Sequence, residues 1–200
     1  MPRSFHVLLF CILFNPCSAQ FNWELSKQKD GISVYLSDVA GSVYKAVKVE
    51  CTLTGTYVKL VSILTNVPQF SKWIYNTKAS WVLKQNTPLD LIYYSETHMP
   101  WPLSNRDCVI HMKIKTDSLP RFLTIVGTGE PDLFPPILTK VRVPFYRANW
   151  KVTMPTAKTI HITYILEIDP GGDIPAFIAN SFADKGPLGT FTNLAERLKK

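Results

Sequence analysis

Read along the chain, apolar and polar residues alternate with two periods. A period near two dominates the middle, and a period near 3.6 appears in two short stretches and at the C-terminal end. Residues 23–29 (WELSKQK) read as a short leading helix, followed by a turn at Asp30-Gly31. Residues 32–36 and 44–53 are rich in Val, Ile and Tyr and read as strands. Residues 56–65 place Tyr57, Leu60, Val61 and Leu64 at helical spacing, and Pro68 opens a second short helix holding Phe70, Trp73 and Ile74. Six extended runs follow, at 79–84, 89–99, 107–116, 122–128, 141–153 and 159–168. Proline-containing turns at Thr87-Pro88, Leu119-Pro120, Pro135-Pro136 and Met154-Pro155 separate most of them. Residues 175–198 form one long amphipathic segment, and Gly186-Pro187 predicts a kink near its middle.

Consecutive strands joined by short turns make an antiparallel sheet. A lone long helix must bury its apolar stripe against the one large apolar surface on offer. The expected fold class is therefore α+β, a curved antiparallel sheet wrapped around a long C-terminal helix.

Alternation assigns faces to three strands. In 89–99, Leu91, Tyr93, Ser95, Thr97 and Met99 point inward, opposite Asp90, Glu96 and His98. In 107–116 the inward set is Cys108, Ile110, Met112 and Ile114, opposite His111, Lys113 and Lys115. In 122–128, where both faces are mild, Phe122, Thr124, Val126 and Thr128 are expected inside. Phe177, Ile178, Phe182 and Phe191 of the last helix close the interior.

The first nineteen residues stand apart. Arg3 supplies positive charge, VLLFCILF is an apolar run too short to cross a bilayer, and Cys17-Ser18-Ala19 offers small residues before a cleavage point. Residues 1–19 read as a signal peptide cut after Ala19, leaving a domain over 20–200 that is secreted or periplasmic. The absence of any Asn-x-Ser/Thr site fits a bacterial periplasmic protein. Loss of Arg3 lowers the formal charge of +7 by one. That modest basic excess suits anionic lipid surfaces. Scattered lysines without an arginine-rich run or a recognition motif give no reason to invoke nucleic acid. Cys51 and Cys108 remain in the exported domain; export would allow them to form a disulfide, while the apolar strand around each suits a buried free thiol. Two cysteines alone cannot build a tetrahedral zinc site, and no cofactor is expected.

Several short motifs occur together. They are Trp23, Lys29-Asp30-Gly31-Ile32, Trp73, Pro100-Trp101-Pro102-Leu103-Ser104-Asn105-Arg106-Asp107, Val141-Arg142 with Trp150, and Asp169-Pro170-Gly171-Gly172-Asp173-Ile174-Pro175-Ala176 with Asn180. In this order and spacing the chain resembles the START (steroidogenic acute regulatory protein-related lipid transfer) family over residues 21–200. The resemblance implies a helix-grip fold with a tunnel between sheet and C-terminal helix, holding one lipid, sterol or similar amphiphile. Sterol-binding members often carry an acid–base pair inside the tunnel, and the similar positions here fall near Ser95 and on Met112. Buried hydroxyls at Tyr93, Ser95 or Thr97 would instead recognise a neutral headgroup.

The expected ligand-binding set is Leu91, Tyr93, Ser95, Thr97, Cys108, Ile110, Met112, Phe122, Thr124, Phe177, Ile178, Phe182 and Phe191. Leu133, Phe134, Ile137 and Leu138 lie in an oddly apolar loop, 131–140, which suits either a transient membrane contact of a monomer or a fold back as a lid over the core; the resemblance places the loop at the tunnel mouth. No Gly-x-Ser-x-Gly, His-Glu-x-x-His or phosphate-binding loop occurs, and the strand histidines show no carboxylate at local spacing. Arg106-Asp107 suits a structural ion pair or turn, and Asp173 suits a helix cap. A non-catalytic lipid carrier or sensor is the first expectation. A cavity enzyme of the cyclase or aromatase type, or an interaction protein with a collapsed cavity, is the alternative.

Overall fold

A computed structural model describes residues 21–116 and 122–200. The segment read as a signal peptide and the Leu119-Pro120 turn lie outside the described residues.

The chain begins with strands β1 (Glu24–Lys29) and β2 (Ile32–Ser37), paired antiparallel. β1 corrects the expected leading helix. Its Glu, Lys and Gln residues favour a helix locally, but the following Asp30-Gly31 turn, with φ of 50° and 77°, folds the segment back as a hairpin. The charged residues of β1 also suit its place at the sheet edge. β3 (Ala46–Thr54) is followed by helix α1 (Tyr57–Thr65), whose first turn is capped by Thr56 Oγ1 accepting from the Lys59 amide. A 3-10 helix spans Val67–Lys72 with Pro68 in its first turn. Then come β4 (Thr77–Thr87), β5 (Asp90–Thr97), β6 (Arg106–Thr116), β7 (Phe122–Gly129), the two-residue β8 (Val141–Arg142), β9 (Phe145–Thr156) and β10 (Thr159–Asp169). Helices α2 (Ala176–Phe182) and α3 (Lys185–Lys199) end the chain.

The strands form one sheet in the order β1-β2-β3-β10-β9-β7-β6-β5-β4, with β8 running parallel beside the start of β6. Long-range pairing of β3 with β10 bends the sheet around α3, whose Phe191, Leu194 and Leu198 are buried at helical spacing. The predicted kink is present as an interruption between α2 and α3 at Ala183-Asp184, both in helical φ/ψ, one turn before Pro187. Pro187 sits in the first turn of α3, where its missing N–H costs nothing; in a continuous helix its ring would strike the carbonyl of Ala183.

Two apolar clusters result. The large one fills the concave side between sheet, α1, the 3-10 helix and α3. A small one covers the convex face, where Ile92, Tyr94 and Val109 pack under Phe134 and Ile137. The 131–140 loop is therefore a strap over the outside of the sheet. Arg142 holds it by donating to both oxygens of Asp107 at 3.0 Å and to the carbonyls of Pro131, Phe134 and Pro135. Lys140 adds bonds to Glu96 (2.6 Å) and Tyr94 (3.2 Å). Burial opposes the charge on Glu96, but the bonds from Lys140 and Asn105 outweigh it and hold the carboxyl below its usual range.

Candidate functional site

Between the concave face and the C-terminal helices lies a cavity of 740 Å³. Protein interiors rarely leave voids larger than a water molecule, so this space is not a packing defect, and it falls within the range of small-molecule sites. Strand alternation explains its walls. β5 contributes Tyr93, Ser95 and Thr97, and β6 contributes Cys108, Ile110 and Met112. β9 contributes Tyr146, Ala148 and Trp150, and β10 contributes Tyr164, Leu166 and Ile168. Leu64, Phe70 and Trp73 close one side, and Ile178, Phe182 and Phe191 lie on the helical side.

Eight residues of the expected ligand-binding set from the strands and α2–α3 line this space besides Phe182: Tyr93, Ser95, Thr97, Cys108, Ile110, Met112, Ile178 and Phe191. Phe182 lines it at the rim, half-exposed. Four do not line it. Leu91 is plain core. Phe122 and Thr124 sit on the opposite face, because β7 runs one residue out of the expected phase: Leu123, Ile125 and Gly127 are the buried set. The inward glycine has a reason. A Cβ at Gly127 would stand 3.3 Å from the Tyr146 ring, so the absent side chain gives that ring its room. Phe177 is 75% exposed on α2, a helix with no buried residue.

Tyr146, Trp150, Tyr164, Phe70 and Trp73 were missing from the expected set. In 141–153 the alternation Tyr146, Ala148, Trp150, Val152 against Arg147, Asn149, Lys151 carries the needed signal. Trp150, Tyr164 and Phe191 form an aromatic trio with ring centroids 4.7, 5.1 and 5.4 Å apart. It seats α3 against the wall.

Among the described residues, the lining contains no Asp, Glu or Arg. Its charged or titratable members are Lys45, Lys185, His98, Tyr44 and Tyr75, none of them buried, together with the phenols of Tyr93, Tyr146 and Tyr164 and the Cys108 thiol. Burial pushes the Cys108 thiol up to about 12 and the Tyr93 and Tyr164 phenols well above their usual range, so all three stay protonated. Cys51 and Cys108 are both free. Ser95 and Met112, the positions similar to the acid–base pair of sterol binders, both face the cavity and supply no charge.

The mouth is built by three segments. The loop 98–105 carries Trp101, 93% exposed; residues 43–45 bring Tyr44 and Lys45; α2 lies across them. Asn180 of α2 accepts from the Lys45 amide and donates to the Val43 carbonyl, both at 3.0 Å. Arg106 is buried and donates to the carbonyls of Ser104 and Gly171, tying the loop to the turn before α2. The expected Arg106-Asp107 pair is thus replaced by Asp107-Arg142, because neighbours on a strand point to opposite faces. Gly171 and Gly172 take φ of 66° and 65°, and Asp173 does not cap as expected: α2 starts at Ala176 after Pro175 with no side-chain cap. His98 also departs from expectation and lines the mouth beyond the end of β5. His111 gains a carboxylate invisible at local spacing, Asp90 at 2.7 Å, but on the convex face outside the cavity lining.

The strap residues 131–140 contribute nothing to the cavity lining. Phe134 stacks edge-on against Trp81 and Tyr94, which withdraws it from any outward contact. Leu133 and Leu138 stay exposed.

The START domain family model matches residues 13–200 of the chain. An uncharacterised protein of Pseudomonas aeruginosa is 34% identical over 182 residues, covering 90% of this chain and 88% of its own length. The crystal structure of a STAR-related lipid transfer protein fragment from Xanthomonas axonopodis superposes with a TM-score of 0.82 at 31% identity, over 89% of this chain and 99% of that one. The mouse phosphatidylcholine transfer protein is 24% identical, over 87% of this chain and 82% of its own. A curved sheet gripping a C-terminal helix, a hollow between them and a family match over nearly the whole length agree: the chain belongs to the START domain family.

Proposed function

We propose that the protein is a non-catalytic carrier or sensor that holds one hydrophobic lipid or sterol-like molecule in the cavity, acting as a monomer after export. The observation that carries this reading is the 740 Å³ hollow with apolar walls. Left empty, such walls forfeit dispersion contacts; a hydrocarbon tail restores them and contributes about 0.8 kcal/mol per buried methylene. The Xanthomonas and mouse relatives, named for lipid and phosphatidylcholine transfer, favour the same reading. General acid–base chemistry inside would need a group poised near neutral pH. The interior lining supplies only hydroxyls and a thiol held protonated, which favours binding over catalysis.

Loading requires an exit to the bilayer. Exposed apolar side chains around the mouth include Val43, Tyr75, Trp101, Phe177 and Phe182, beside Lys45 and Lys185. β8 joins β6 immediately after the 98–105 loop, so Leu138, fully exposed, emerges at the same end. This arrangement suits a membrane contact through Trp101, Phe177, Leu133 and Leu138. Lipid transfer between vesicles should fall severalfold in Trp101→Asp/Leu138→Asp with an unchanged melting temperature, since exposed positions carry little stability. Unchanged transfer would refute this contact surface. Within the same assay α2 acts as the gate. Asn180→Ala removes two hydrogen bonds worth about 1 kcal/mol each, and should speed ligand exchange by about thirtyfold.

A further inference from the structure

The interruption between α2 and α3 is built around Asp184. This residue precedes the first turn of α3, where a carboxylate ordinarily accepts from the free amides of its own helix, and it makes no such bond. It is buried and reaches the edge strand instead. Its Oδ2 accepts from Ser26 Oγ at 2.7 Å. Its Oδ1 faces Lys27 Nζ at 3.1 Å, a contact of opposite charges without hydrogen-bond alignment. Consecutive residues of a regular strand point to opposite faces, so Ser26 and Lys27 could not both meet one carboxylate. β1 solves this with a bulge: Leu25 pairs with Tyr35 and Lys27 with Val34, which leaves Ser26 as the extra residue. A bulge re-aims side chains, and here two of them converge on Asp184.

The start of α3 is gripped a second time by the loop after the 3-10 helix. The Tyr75 ring lies so close to Gly189 that a Cβ there would stand 2.7 Å from it. The Tyr75 amide donates to Thr190 Oγ1 (3.1 Å), and Asn193 Nδ2 donates to the Trp73 carbonyl (2.8 Å). α2 has no such seat. It buries no residue, and among the described residues its side-chain bonds to the rest of the fold are the two made by Asn180. It lies between two anchored points, the Gly171 carbonyl bonded by Arg106 and the Asp184 carboxylate bonded by β1. We propose that Asp184 is a positioning residue: held by the Ser26 bulge, it keeps α3 seated on the sheet edge while α2 alone swings to let a ligand pass. The inference rests on the lipid-binding reading above and specifies which part of the C-terminal segment moves. A charged, buried anchor at the junction and two neutral bonds on α2 divide the segment into a fixed part and a movable part.

The test locks α3 and asks whether ligand still passes. A Cβ at Gly189 would lie 3.5 Å from the Tyr75 Cβ, so Tyr75→Cys/Gly189→Cys places two thiols within disulfide reach. The purified protein is loaded with pyrene-labelled fatty acid or pyrene-labelled phosphatidylcholine, and release to unlabelled vesicles is timed. Oxidised and reduced forms of the cysteine pair should release at rates within about twofold of each other. Release that stops on oxidation and resumes on reduction would overturn the proposal, since α3 would then have to move. Asp184→Ala should speed release by about tenfold, the effect of one charge-assisted bond, and the oxidised lock should bring that variant back to within about twofold of the parent. An unchanged rate in Asp184→Ala, or an acceleration that the lock leaves intact, would also contradict it. Hydrogen exchange without ligand supplies the independent reading: amides 188–193 of α3 should exchange about tenfold faster in Asp184→Ala, and equal exchange would refute the anchor. A parent protein that takes up neither probe but shows this exchange difference would overturn the lipid reading and leave the anchor standing.

Discussion

Replacing Ala148 by tryptophan is expected to cut lipid loading by about fiftyfold and leave the melting temperature unchanged or higher. Ala148 sits on β9 between Gly127 and Leu166 in the sheet, buried from solvent yet facing the hollow. An indole there occupies space the ligand would use. Displacing three methylenes at about 0.8 kcal/mol each removes about 2.4 kcal/mol of binding, which is the factor given. Stability reports on the same geometry with the opposite sign. In a filled core the extra bulk would force neighbours off their rotamers at a cost of about 1–3 kcal/mol. In a hollow it gains contacts instead. Lipid content after purification, together with a thermal melt, reads both. Strong destabilisation of the Ala148→Trp protein would mean that the sheet and helices meet without a cavity.

The second large effect concerns the helix that closes the hollow. Phe191→Ala should destabilise the fold by about 3–5 kcal/mol, lowering the melting temperature by about 10 °C. Phe191 is almost fully buried and packs on Trp150 and Tyr164, the only described aromatic cluster joining α3 to the sheet. Phe177→Ala on α2 removes a side chain of the same size that is three-quarters exposed, and should change stability by less than about 0.5 kcal/mol. Comparing the two melts separates the part of the C-terminal segment that holds the fold from the part free to move as a gate. Equal losses would contradict that division.

Much of this arrangement is legible before any coordinates, because strands with one buried face announce it. Tyr93, Ser95 and Thr97, and Cys108, Ile110 and Met112, follow directly from alternation between apolar and charged neighbours. The phase of β7 is not legible, since Phe122, Leu123, Thr124 and Ile125 offer no charge to mark the outside. Its phase is set by tertiary need: a glycine must face Tyr146. β1 is a case of local preference overruled by pairing, and the decisive cue, Asp30-Gly31, lies outside the strand itself. The strap over 131–140 is apolar for a reason that its own sequence does not reveal. β5 and β6 are apolar on both faces at Ile92, Tyr94 and Val109, so their convex side also needs cover.

The most direct measurement of the central claim is native mass spectrometry of the purified protein after incubation with a natural lipid extract, followed by denaturation and extraction. The expected spectrum shows the polypeptide carrying the mass of one lipid, released on unfolding and absent from the Ala148→Trp protein. A spectrum of bare polypeptide at every lipid concentration, with the parent and Ala148→Trp proteins alike, would contradict it.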